Sequence, residues 1–257
     1  MARYKVVLAY DGSEFFGSQR QAEARTVQSV FEIGLQKLGW QGQSILLAGR
    51  TDSGVHASGQ VVAFDLPWKH PPDALLRALN AVLPKDIAAR EVTECLDDFH
   101  PRFGALSRRY RYEIRCDPVR DPLKERYTWR VWPAPDFDLL LAAAGELIGI
   151  HDFAPFGSAT SPDGSTIREV QQALWKQQGP RLTFEVTANA FLYHMVRRMV
   201  FVQVSVGQGK LEAGIISRVL QAPHSYPIFQ GLAPSQGLSL VEVSYPTEDA
   251  RITNQEK

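Results

Sequence analysis

The chain has 257 residues, 44% of them hydrophobic, enough for one large domain or two of roughly 100–150 residues. Lys+Arg and Asp+Glu both number 28, so the net charge is zero and any basic surface for nucleic acid must be a local patch. Two cysteines, Cys95 and Cys116, with no CxxC, exclude a disulfide framework and argue against a zinc site; with no signal-peptide core in "MARYKVVLAYDG" and no long apolar run, no membrane association and a reducing cytoplasm are expected.

"RYKVVLAYD" (3–11) predicts a strand closing on an Asp-Gly turn. "TVQSVFEIGLQKLG" (26–39) predicts a helix with Thr26 as N-cap and a stripe of Val27, Val30, Phe31, Leu35 and Leu38, stopping at Gly39. "SILLAG" and "QVVAFDL" read as strands, "PDALLRALNAVL" (72–83) as a helix opened by Pro72, and "IAAREVTEC" (87–95) as a strand. The order β-α-β-β-α-β is the ferredoxin-like split pattern. The second half uses similar ingredients: a strand over 108–116, a short "YTWRVWP", and a helix over 136–149. A hairpin around "QGP", the apolar segment 190–207, the helix "LEAGIISRVLQ" and the strand "GLSLVEVSY" follow.

The expected fold class is therefore α+β: two ferredoxin-like halves with mostly antiparallel sheets flanking a central basic cleft. The expected domains are 1–104, an N-terminal half holding the polar loop discussed next, and 105–246, a C-terminal half, with 247–257 a frayed tail. GxGxxG, GxxxxGK[ST], HExxH and GxSxG motifs and an RNP1 string are all missing. Any chemistry is expected to rest on side chains, with no metal and no cofactor.

Four constellations remain. "AGRTDSGVHASG" places Arg50, Asp52 and His56 in a glycine-flanked loop between two strands; read alone, Asp52 fits an Asx-turn as readily as a catalytic carboxylate. His56 is expected to make a structural hydrogen bond. Between Pro101 and Tyr112 stand four arginines and no acid. At a strand's period of two, Tyr110, Tyr112 and Ile114 face one way and Arg109, Arg111, Glu113 and Arg115 the other. That is a base-stacking face backed by a phosphate-holding one, or a core-facing tyrosine pair with a solvated edge. In "NAFLYHMVRRM", read as a helix, Phe191, Leu192, Met195, Val196, Met199 and Val200 imply burial. Arg197 and Arg198 project about 100° apart, so one of them meets the interior and calls for an acid from elsewhere, for which Asp52 is a natural candidate. "YDGSEFFGSQRQ" (10–21) reads as a strand-to-helix loop, with or without phosphate contacts.

Together, "YDGSEFFG-QRQ", "AGRTDSGVHA-GQVV-F", "DFHPRFGA-SRRYRY" and "ANAFLYHMVRRM" resemble the TruA-type tRNA pseudouridine synthases in order and spacing, over residues 6 to about 243. The resemblance implies an isomerase that converts uridine to pseudouridine at positions 38, 39 and 40 of the tRNA anticodon stem-loop, as a homodimer without cofactor. It makes Asp52 the catalytic aspartate and Tyr110 the tyrosine that stacks on the target uracil. Arg197 becomes the aspartate's basic partner, and Arg50 an arginine that positions substrate. Ser53 stands where the family has alanine, and Ser18 where it has tryptophan or another large aromatic. Asp52 could act at C1′, at C6 or on a C2′ proton. Two other readings compete: a non-catalytic nucleic-acid module, which would not need Asp52, and a hydrolase, which would ordinarily use a second carboxylate.

Overall fold

The structure is a computed structural model, described here for residues 1–161 and 163–246; the expected tail 247–257 lies outside the described residues. It is mixed α+β, with ten strands and five α-helices among those residues. The chain divides into two compact units, residues 1–107 with the C-terminal stretch from Leu240, and residues 108–239.

In the first unit, β1 (Ala2–Tyr10) pairs antiparallel with β3 (His56–Leu66) on one side and β4 (Ile87–Cys95) on the other. The short β2 (Leu46–Leu47) also pairs with β3. Alternation along β1 buries Tyr4, Val6, Leu8 and Tyr10. Helix α1 (Val27–Lys37) starts where Thr26 accepts the Ser29 N–H and Ser29 Oγ answers the Thr26 N–H, a reciprocal cap. It buries Phe31 and Leu35, and the Phe31 and Phe64 rings lie 5.8 Å apart. Helix α2 (Pro72–Val82) buries Leu75 and Leu79. Each such leucine or phenylalanine stabilises the fold by roughly 1.5–3 kcal/mol. Residues 240–244 come back to this unit on β10 (Leu238–Ser244), which lies beside β3.

In the second unit, β5 (Ser107–Cys116) pairs antiparallel with β9 (Arg181–Ala188), β9 with β8 (Ile167–Gln178), and β8 with β7 (Gly149–Asp152). The short β6 (Trp129–Val131) runs parallel to β5. Helices α3 (Phe137–Gly145) and α4 (Met195–Gly207) pack together, and α5 (Ile215–Gln221) follows. Trp175 anchors the core, 5.0 Å from the Phe184 ring, with its Nε1–H donated to Gln203 Oε1 at 2.8 Å.

Two expectations need correction. The apolar segment 190–207 is helical only from Met195, because His194 takes a left-handed conformation (φ 64°) and breaks the run ahead of it. The helix expected over 136–149 stops at Gly145, and Gly149 instead opens β7, a four-residue strand that composition did not reveal.

Candidate active site

The loop carrying Asp52 is shorter than its sequence suggests, because β3 already begins at His56. Asp52 is half-buried, Arg50 is exposed, and Thr51 between them is buried. The segment between β1 and α1 holds this loop on one side. Thr51 N–H donates to Ser18 Oγ at 2.8 Å, and Ser18 N–H donates to the Thr51 carbonyl at 3.0 Å. The Gly54 N–H and the Ser53 hydroxyl both donate to the Phe15 carbonyl at 3.3 Å. Gly17 has φ +85°, and a Cβ on it would stand 2.9 Å from the Thr51 carbonyl oxygen, so both conformation and space call for glycine there.

The strands hold the loop from beneath. Tyr10 Oη lies 2.8 Å from Thr51 Oγ1, and the fully buried Gln60 donates Nε2–H to the Gly49 carbonyl at 2.9 Å. Burial pushes the Tyr10 phenol up to about 12, against the opposing pull of its hydrogen bonds with Thr51 and Gln60. His56 Nδ1 accepts the Gly12 N–H at 2.9 Å. Asp11 Oδ1 also approaches Nδ1, at 3.2 Å, and accepts the N–H and hydroxyl of Ser13.

The other two expected residues lie in the second unit. Tyr110, on β5, is 8% exposed, and its ring meets Phe191 edge-on at 5.0 Å. Tyr112 and Ile114 share that buried face, as the strand period requires. Burial raises the Tyr112 phenol well above the ordinary tyrosine range, the charge of Arg197 opposing it, and its hydroxyl donates to the Pro234 carbonyl at 2.7 Å. The opposite face of β5 is less free to hold phosphates than its arginines suggested. Arg111 binds Glu185 through Nε at 2.9 Å and Nη2 at 2.7 Å, and Arg115 pairs with Asp117 at 3.2 Å.

Arg197 and Arg198, in the first turn of α4, are both half-buried. Arg197 Nε donates to the Ala233 carbonyl at 2.7 Å. Arg198 donates to the carbonyls of Phe229 at 3.0 Å, Phe156 at 3.3 Å and Tyr193 at 3.3 Å. Backbone oxygens therefore meet part of the demand for which the sequence reading sought a carboxylate.

Sequence reasoning passed over Ser18, Tyr10 and Gln60. Ser18 figured only as lost aromatic bulk, yet it is fully buried and bonded to the residue before Asp52. A polar residue at the head of the apolar run "VVAF" was the available signal for Gln60. Among the described residues, no group of three or more His, Cys, Asp or Glu side chains is placed to hold a metal ion, and no helix is long and apolar enough to cross a membrane.

The family model described as tRNA pseudouridine synthase matches residues 6–104 and 143–246. The chain is 39% identical over 250 residues to tRNA pseudouridine synthase A of Limosilactobacillus fermentum, covering 95% of this chain and 96% of that one. It is 42% identical over 243 residues to the Moorella thermoacetica protein of the same name (94% and 98% covered). The Myxococcus xanthus protein of that name is 39% identical over 246 residues (95% and 92%). With that extent of similarity around the loop and strands just described, the chain belongs to the tRNA pseudouridine synthase family of isomerases.

Proposed function

We propose that this protein converts uridine to pseudouridine in tRNA, at positions 38, 39 and 40 of the anticodon stem-loop, with Asp52 as the catalytic carboxylate and no cofactor. The reaction breaks the uracil N1–C1′ bond, turns the base and joins C5 to C1′; C5 gives up its proton and N1 gains one, so nothing is oxidised and no water is consumed. The observation that carries the reading is the Asp52 loop, where a half-buried carboxylate residue is held rigidly from two sides beside an exposed arginine.

Tyr110 stacks on the displaced uracil, returning about 1–3 kcal/mol of the cost of unstacking it. Arg50 and Arg197 bind substrate. With this goes the finer architecture expected from the sequence, ferredoxin-like halves with a basic cleft, in a homodimer acting in the cytoplasm. Binding through phosphates makes tRNA affinity fall steeply as salt rises.

The test uses tRNA carrying tritium at uridine C5. Release by the wild-type protein and none by Asp52→Asn supports the reading. Equal release by both overturns the role of Asp52, and tRNA binding without release by the wild type overturns the activity.

A further inference from the structure

Ser18 lies midway along the segment between β1 and α1, where it is fully buried. All three of its hydrogen-bonding groups engage two elements. Its carbonyl accepts the Gln28 N–H, in the first turn of α1, at 2.9 Å. Its hydroxyl oxygen and its N–H both engage Thr51, at 2.8 and 3.0 Å. The Thr51 N–H belongs to the peptide that leaves Arg50, and the Thr51 carbonyl to the peptide that enters Asp52. One serine thus fixes both peptide planes flanking Thr51 and ties them to the start of a capped helix.

We infer that Ser18 is a positioning residue for Asp52, its hydroxyl setting the backbone from which the carboxylate is aimed; this rests on Asp52 being the catalytic carboxylate. The hydroxyl is the part a substitution can remove. Without it, the Thr51 N–H keeps its buried site but loses its acceptor, and the loop must shift to find another. Small displacements of a reacting group cost turnover far more than they cost binding, which for a nucleic acid is spread over many phosphate contacts. Alanine leaves the backbone bonds of residue 18 in place, so the change isolates the hydroxyl.

The experiment follows tritium release from C5-labelled tRNA with enzyme in excess, using the full chain as wild type, Ser18→Ala, Ser18→Thr and Asp52→Asn. The expected result is a Ser18→Ala rate constant lower by about tenfold or more. Its reaction amplitude and its tRNA affinity by filter binding stay within about twofold of wild type. Ser18→Thr, which restores an acceptor oxygen, recovers rate. Amide exchange followed by NMR gives a second measurement, in which Thr51 loses protection in Ser18→Ala while the amides of β1 and β3 keep theirs. A Ser18→Ala protein at the wild-type rate, or one whose Thr51 amide stays protected, overturns the positioning role. So does a loss of amplitude alone, which reports misfolded protein. An active Asp52→Asn protein overturns the underlying reading instead, so the two failures are told apart.

Discussion

Tyr10 Oη and Thr51 Oγ1 meet at 2.8 Å between two buried residues, so the residue before Asp52 is bonded to the last position of β1. Because burial pushes the Tyr10 phenol up to about 12, this bond does not titrate across the neutral range. Tyr10→Phe keeps the ring and deprives the Thr51 hydroxyl of that partner. The expected cost is about 1–2 kcal/mol in urea unfolding, accompanied by slower tritium release. Unchanged stability would show that Thr51 re-pairs at no cost.

Gly17 and Gly39 separate conformational strain from crowding. Both have positive φ, +85° and +90°, but a Cβ on Gly39 meets nothing within 4 Å, whereas one on Gly17 presses on the Thr51 carbonyl. Gly39→Ala is expected to cost about 1 kcal/mol and to leave activity intact. Gly17→Ala carries the same strain plus about 1–3 kcal/mol of overpacking, and moves the Asp52 loop. Denaturation midpoints and initial rates of the two variants, measured side by side, check the difference; equal losses of activity would mean the Gly17 contact is not what matters.

Where neighbours in sequence decide structure, the reading worked. Thr26 caps α1, Pro72 opens α2, and the period of β5 buries Tyr110, Tyr112 and Ile114 together. Where distant residues decide, it did not. A largely apolar run cannot show that His194 adopts a left-handed turn and delays α4 to Met195. Ser18 looked like missing bulk because its partner, Thr51, is 33 residues away. The arginines of β5 looked available for phosphates because Glu185 lies on a different strand. At the candidate site, four ordered motifs singled out Asp52 for the role proposed here, while the bonds that hold its loop came only from the fold.

Arg198 illustrates the same limit. Its guanidinium bridges carbonyls of residues 156, 193 and 229, three segments joined by one side chain. A lysine cannot reproduce this fork. Arg198→Lys is expected to lose about 1.5–3 kcal/mol of stability, the range for hydrogen bonds to a charged group. Arg197→Lys, at the proposed substrate-binding position, is expected to lose more in tritium-release rate than in stability. Thermal melts and rates for both variants check the division, and the opposite pattern would reassign the two roles.

Glu185 gives the second unit a pH dependence. Hydrogen bonds from Lys176 and then Arg111, outweighing burial, hold its carboxyl below the usual 4.5. A carboxylate lowered in the folded state adds stability that is fully present above its unfolded pKa and is lost as pH falls through the folded one. Lys176 and Arg111 are 56% and 41% exposed, so the contribution is small, under about 1 kcal/mol. The stability gap between wild type and Glu185→Gln is expected to hold at neutral pH and to narrow from about pH 5 to about pH 3. A gap independent of pH would show that the carboxylate's charge contributes nothing.

Phe191 tests how Tyr110 is aimed. The residue lies before α4, in the stretch that the His194 turn keeps out of the helix, and its ring meets Tyr110 edge-on with planes at 84°. Such a pair is worth about 0.5–1.5 kcal/mol beyond the area it buries, and the direction of that contact fixes the tyrosine ring. If Tyr110 stacks on the target uracil, loosening it lowers the rate of the chemical step while the phosphate contacts keep tRNA bound. Phe191→Leu retains apolar bulk but not the edge-on geometry. It is expected to slow single-turnover tritium release by about threefold to tenfold with tRNA affinity nearly unchanged, and Tyr110→Ala should slow it further. The double variant should be no slower than Tyr110→Ala alone, because Phe191 acts only through that ring. Fully additive losses would show that Phe191 contributes independently of Tyr110.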